Sequence, residues 1–130
     1  MVSDTSAITA ILTGEPGADV LTRIIAESPE VLMSSFSVLE TGIVLEARKG
    51  EAGGRELDLF LQRAWVRVMP LDWEQVRIAR EAWRRFGKGR HAAGLNIGDC
   101  CSYALAKSTG APLLFKGHDF SKTDILVAAY

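Results

Sequence analysis

In this 130-residue chain, apolar runs too short for helices give way repeatedly to capping residues and helical patterns, an alternation that few architectures satisfy. Val2 to Asp4 is too short for periodicity to assign, but Asp4, Thr5 and Ser6 are helix-capping types and Ala7 to Leu12 follows as a turn or two of helix. A strand running into a helix is the simplest parse. Gly14 to Gly17 breaks that helix, Val20, Leu21, Ile24 and Ile25 recur at helical spacing, and Val31 to Ser34 follows as a second strand. Phe36 to Arg48 predicts a helix with Phe36, Leu39, Ile43, Val44 and Ala47 on one face, Ser34 or Ser35 as its cap and Gly50 past its end.

The pattern then repeats. Gly54 to Ala64 predicts a helix with Leu57, Leu61 and Ala64 in register, Val66 to Met69 alternates like a strand, and Pro70 stops it. Asp72 with Gln75 resembles a capping box opening a helix from Trp73 to Phe86, with Val76, Ala79, Ala82, Trp83 and Phe86 toward the core. Gly87 to Gly94 is a basic, glycine-rich loop. Asn96 caps a last helix that ends at Thr109 before Gly110, Pro112 to Phe115 reads as a buried strand, and Asp124 to Ala129 as one more short strand.

Strands separated by helices pair in parallel, because parallel neighbours need crossovers and helices supply them. The expectation is an α/β fold: a three-layer α/β/α sandwich with a parallel sheet flanked by helices, residues 1–130 forming one domain without repeats or linkers. A 48% hydrophobic, 24% charged composition excludes disorder, collagen and coiled coil. Formal charge of -1 argues against tail-driven nucleic-acid binding but leaves room for a local basic surface. Cys100 and Cys101 are adjacent, so they provide neither a disulfide framework nor separated zinc ligands. With no apolar run near the roughly 20 residues of a membrane span and no signal-peptide order, the chain reads as cytoplasmic, without a membrane.

In parallel sheets ligands sit beyond the carboxyl ends of the strands. Asp4 ends the first strand, Glu40 lies a turn into the helix after the second, Asp99 falls in the first turn of a helix, and Asp119 follows the Pro112 to Phe115 strand. Each alone suits a helix end, a helix flank or a turn. Together, several carboxylates within ~5 Å repel and raise one another's pKa values unless a divalent cation neutralises them. Oxygen-only ligation suits Mg²⁺ or Mn²⁺, which can bind phosphate and lower the pKa of a bound water; phosphodiester hydrolysis is the chemistry expected.

Four blocks carry a family resemblance in order along the chain: VSDTSAI (Val2 to Ile8), SVLETGIVLEAR (Ser37 to Arg48), GLNIGDCCSYALAK (Gly94 to Lys107) and LLFKGHDFSKTDI (Leu113 to Ile125). Together they resemble the PIN-domain ribonucleases, and within them the VapC toxins of bacterial VapBC toxin-antitoxin pairs. The resemblance implies a Mg²⁺- or Mn²⁺-dependent endoribonuclease whose acidic site is Asp4, Glu40, Asp99 and Asp119, with Asp124 at an auxiliary position. It also implies a cognate VapB antitoxin that covers the acids, and a homodimer. Ser3 stands where the family usually carries an aliphatic residue, and His118 where Asn is common.

Asp4 and Asp99 are read as direct metal ligands, with Glu40 and Asp119 completing the site directly or through waters. Thr5 and Ser6 are candidates to hold Asp4 or a phosphate and equally suit helix caps; Asn96 caps a helix start that favours negative charge. Setting the five acids aside leaves eleven acids against fifteen bases, a balance that suits an RNA substrate. Arg84, Arg85, Lys88 and Arg90, with His91, cluster before Asn96 and could grip phosphates, or else complement a helix end; Lys116 lies nearer the acids. Cys100 and Cys101 read as packing residues, and Trp65, Trp73 and Trp83 as core or interface residues. Two rivals stay open: a phosphotransferase using Asp4 as nucleophile, and a non-catalytic RNA-binding or interaction module.

Overall fold

The computed structural model describes residues 1–128. Its elements are β1 (Val2–Ser3), α1 (Thr5–Leu12), α2 (Ala18–Glu27), β2 (Leu32–Ser34), α3 (Ser35–Lys49), α4 (Glu51–Arg63), β3 (Arg67–Met69), α5 (Trp73–Phe86), α6 (Ile97–Thr109) and β4 (Leu113–Leu114), then a 3-10 turn at Phe120–Lys122. The strands form a parallel sheet ordered β3-β2-β1-β4, with Val2 in register with both Leu32 and Leu113. The chain walks outward from β1 to β3 and then returns to the far side of β1. That reversal opens a crevice at the carboxyl end of β1, where Asp4 sits.

Successive strand residues point to opposite faces and so divide the core in two. Val2, Leu32 and Leu113 pack with Phe86, Leu95, Tyr103 and Leu105, whereas Met33 and Leu114 pack with Ile8, Leu21, Ile25 and Leu57. Both sheet faces are thereby covered by helices, as expected of a parallel sheet.

Several details depart from the expectations. On α3 the buried residues are Ser37, Thr41 and Leu45, while Leu39 and Ile43 are 61% and 60% exposed. The seam is small and polar where α3 meets α6, with the Ser37 and Ser102 hydroxyls 3.1 Å apart, and turns apolar at Leu45, which lies against Gly53. Helix α4 begins at Glu51 rather than at Gly54, and its Gly53 lets it cross α3 tightly: a β-carbon there would collide with the Leu45 backbone.

Helix α5 starts and ends as predicted, and Asp72 Oδ1 accepts the Gln75 N–H at 2.9 Å. The Gln75 side chain does not close the box. It donates to the Pro70 carbonyl instead. Ala82 and Phe86 are buried, but Trp83 is 44% exposed, and Trp65 and Trp73 also lie on the surface, so none of the tryptophans is core. Cys100 and Cys101 are free, buried thiols, each pushed up to about 11 chiefly by burial, which fits packing and not nucleophilic chemistry. The strand expected from Asp124 to Ala129 shrinks to one bridge between Val127 and Leu113; Ala129 lies outside the described residues. Among the described residues no helix is long and apolar enough to cross a membrane.

Candidate active site

Asp4 is the N-cap of α1, and its buried carboxylate is held from both sides. Its Oδ2 accepts the Ser6 N–H at 3.0 Å and the Ser6 hydroxyl at 2.7 Å, and its Oδ1 accepts the Ser102 hydroxyl at 2.5 Å. Ser6 in turn accepts the backbone N–H of Lys116 at 3.0 Å, which ties the loop after β4 to the end of β1. Thr5 does not hold Asp4. Its hydroxyl donates to Glu40 Oε1 at 2.8 Å and approaches the Ser37 carbonyl at 3.2 Å, so Thr5 fastens the α3 acid to the start of α1.

Helix α6 supplies the third acid through a complete capping box. Asn96 Oδ1 accepts the Asp99 N–H at 2.8 Å, and Asp99 Oδ2 accepts the Asn96 N–H at 3.1 Å. The readings of Asn96 and Asp99 as helix-terminal residues therefore hold, and the same geometry aims Asp99 at the cleft. Burial pushes the Asp99 carboxyl up to about 7, against the Asn96 hydrogen bond, and like charge on Asp4, Asp119 and Glu40 adds to the rise. Asp119 precedes the 3-10 turn without capping it.

Asp4, Thr5, Ser6, Glu40, Asn96, Asp99 and Lys116 line one open cleft of about 720 Å³; Asp119 is not in that lining but follows His118, which is, and lies within electrostatic reach of Asp99. Among the described residues, no three acid, histidine or cysteine side chains converge tightly enough to enclose an ion unaided. The acids share a cleft, not a point. An all-oxygen donor set with mutual repulsion fits a hard divalent cation that keeps part of its water shell.

The other candidates divide. Asp124 belongs elsewhere: it accepts the Tyr103 hydroxyl at 2.6 Å, pairs with Lys107 at 3.1 Å and Arg85 at 3.5 Å, and pins the C-terminal segment to α5 and α6. Arg84 pairs with Glu81, and Arg90 stacks over the Trp83 ring; both line a groove beside α5 with Ile97. Lys88 is exposed, and His91 Nδ1 accepts the Ala93 N–H. Of the basic residues considered, Lys116 alone lines the acidic cleft, its amine 3.4 Å from Glu15.

Sequence reasoning missed Gly98, Ser37 and Ser102. Ser37 and Ser102 look like small core residues in the sequence, and only the contact between α3 and α6 gives them a role. Gly98 carried one legible signal, a glycine in the first turn of a helix beside a candidate acid.

A family model for the PIN domain matches residues 1–126. The chain is 59% identical over 125 residues to a protein named Ribonuclease VapC from Mycolicibacterium smegmatis, covering 96% of this chain and 97% of that one. It is 54% identical to Ribonuclease VapC30 of Mycobacterium tuberculosis, covering 99% and 98%. Among solved structures, Mycobacterium tuberculosis VapC20, described as a Sarcin-Ricin loop cleaving toxin, superposes with a TM-score of 0.80 at 22% identity over 99% of this chain and 98% of that one. A toxin-antitoxin complex from Klebsiella pneumoniae superposes at 0.74 with 14% identity over 99% and 97%. The two superpositions establish the fold, the identities establish the branch, and this chain belongs to the PIN-domain family as one of its VapC ribonucleases.

Proposed function

We propose that the chain acts in the cytoplasm, as one PIN unit spanning residues 1–130, as a Mg²⁺- or Mn²⁺-dependent endoribonuclease toxin restrained by a cognate VapB-type antitoxin. The observation that carries the reading is the convergence on one cleft of Asp4, Glu40 and Asp99 from three separate segments, with Asp119 of a fourth close enough to act on Asp99, whose carboxyl is raised by burial and by the other three acids. Such repulsion is costly in a fold unless a cation offsets it. Asp4 and Asp99 would hold the ion directly, and Glu40 and Asp119 directly or through water. When bound, a divalent ion supplies Lewis-acid polarisation of the phosphate and a more acidic water.

The chain's own residues set the geometry. Ser6 and Ser102 orient Asp4, Thr5 orients Glu40, and Asn96 fixes Asp99. Lys116 stands at the cleft to meet an RNA phosphate, and the start of α6 favours the same negative charge. The phosphotransferase reading lacks its second acid, since Ser6 stands two residues after Asp4 where a D-x-D pair would need Asp, and the Ser6 hydroxyl is bound to the Asp4 carboxylate. The likeness to toxin-antitoxin assemblies supports the antitoxin partner, and the exposed Leu39 and Ile43 of α3 suit the proposed homodimer.

The test is cleavage of structured RNA with Mg²⁺ or Mn²⁺. Asp4→Ala and Asp99→Ala should each abolish cutting with the fold retained, and chelation should do the same to the wild type. Equal cutting by wild type and both variants would refute the assignment. Co-expression with the neighbouring reading frame should restore growth and yield a co-purifying partner.

A further inference from the structure

Both serine hydroxyls behind Asp4 are fully buried: Ser37 and Ser102 are each 0% exposed. An ionised carboxylate offers about four lone-pair sites, two on each oxygen. On Asp4, Oδ2 is filled by the N–H and hydroxyl of Ser6, while Oδ1 takes only the Ser102 hydroxyl. One site remains, on Oδ1. Ser102 has a single proton, and the 2.5 Å contact commits it to Asp4, so the 3.1 Å contact between the two serines has Ser37 as donor. The order is therefore fixed as Ser37 to Ser102 to Asp4. The single proton of the Thr5 hydroxyl goes by the same reasoning to Glu40 at 2.8 Å and not to the Ser37 carbonyl at 3.2 Å, so the role of Ser37 runs through Ser102 to Asp4.

We propose that Ser102, oriented by Ser37, is a positioning residue that makes Asp4 present a single Oδ1 lone pair to the cation. The inference rests on the acidic cleft being the cation site. Without the Ser102 hydroxyl, Oδ1 has two competing directions for a ligand and the carboxylate loses the bond that sets its plane. Groups that orient ligands in this way typically alter metal affinity 10- to 100-fold when removed.

The experiment titrates Mn²⁺ alone into the full chain by calorimetry, without RNA, for the wild type, Ser102→Ala, Ser102→Cys and Ser37→Ala. In parallel it records Tm and RNA affinity in chelator. We expect Ser102→Ala to bind Mn²⁺ about 10- to 100-fold more weakly. Ser102→Cys should match it, because a thiol keeps the volume but donates poorly, and it carries the test if the alanine variant does not fold. Ser37→Ala should fall between, with RNA affinity in chelator unchanged throughout. Wild-type Mn²⁺ affinity in Ser102→Ala and Ser102→Cys would overturn this inference alone. So would a loss matched by equal losses in Tm and RNA affinity, the mark of a packing role. A wild type that binds no Mn²⁺ would overturn it together with the acidic-cleft reading.

Discussion

Gly98 lies where any side chain would strike Glu40: a β-carbon built on it would stand 2.5 Å from both carboxylate oxygens. The acid on α3 reaches the cleft because the first turn of α6 is bare at this point. Gly98→Ala should therefore displace the Glu40 carboxylate and lower kcat/KM by at least about tenfold. Glycine to alanine inside a helix favours folding by roughly 0.5–1 kcal/mol, so Tm should hold or rise. Activity lost at constant or higher Tm is the signature, read from thermal melts and RNA cleavage on the same preparation. Unchanged cleavage would show that Glu40 is not needed where it stands.

Asp99 gives a pH dependence of defined sign. Burial and its acidic neighbours raise its carboxyl from 3.8 to about 7, so the folded chain binds this proton more tightly than the unfolded one. Its contribution to stability is full below about pH 4 and is lost as pH rises toward 7. In chelator, Asp99→Asn should be the more stable protein at pH 8 by about 1–2 kcal/mol, a discounted figure for a half-buried, solvent-facing group, and the advantage should vanish near pH 4. Melts of both proteins across pH check it. A wild type that matches or exceeds the variant at pH 8 would contradict the account.

How much of this was legible in the sequence depends on whether a residue's role is local. Helix α5 runs from Trp73 to Phe86 as read, because the Asp72 cap and Pro70 are local signals. Asp4 and Asp99 were legible as helix-start acids for the same reason. The buried face of α3 was not. Hydrophobicity pointed to Leu39 and Ile43, but the contact with α6 falls on the small Ser37, and nothing within that helix announces its neighbour. Ser102 was hidden by the same logic, since its partner Asp4 lies 98 residues away.

The resemblance implies an auxiliary position for Asp124, whereas in the structure it lies outside the acidic cleft, bound to Tyr103, Lys107 and Arg85. Against the upward push of desolvation, hydrogen bonds from Tyr103 and Lys107 and the charges of Lys107 and Arg85 hold its carboxyl below the ordinary value. Asp124→Asn should cost about 1–2 kcal/mol at pH 7, as expected for charge-assisted hydrogen bonds at a partly exposed site. The sign is opposite to that at Asp99: stability from Asp124 is present above pH 3.8 and lost as pH falls through the lower folded value. The Tm gap between variant and wild type should therefore close in acid, while Mn²⁺-supported cleavage per folded molecule stays near wild type. Abolished cleavage at unchanged Tm would return Asp124 to the chemistry.

The basic residues should separate by the company they keep. Arg85 lies outside the acidic cleft, stacked over the Phe86 ring at 4.7 Å and paired with Asp124 at 3.5 Å, so Arg85→Ala should lower Tm slightly and leave RNA binding nearly intact. Lys116 lines the acidic cleft with only a 3.4 Å surface pair to Glu15, an interaction weak enough for a phosphate to displace. Each phosphate contact on a single strand contributes about 0.7 to the slope of log affinity against log salt. Lys116→Ala should thus weaken RNA binding in chelator and flatten that slope by roughly this amount. Arg84 and Arg90, beside Trp83 in the groove along α5, should behave like Lys116 if RNA runs past that helix, so the double alanine variant should flatten the slope by about 1.4, twice the single-contact value. Filter binding from low to moderate salt measures all three variants. An unchanged slope in the double variant would confine the RNA path to the Lys116 side of the cleft.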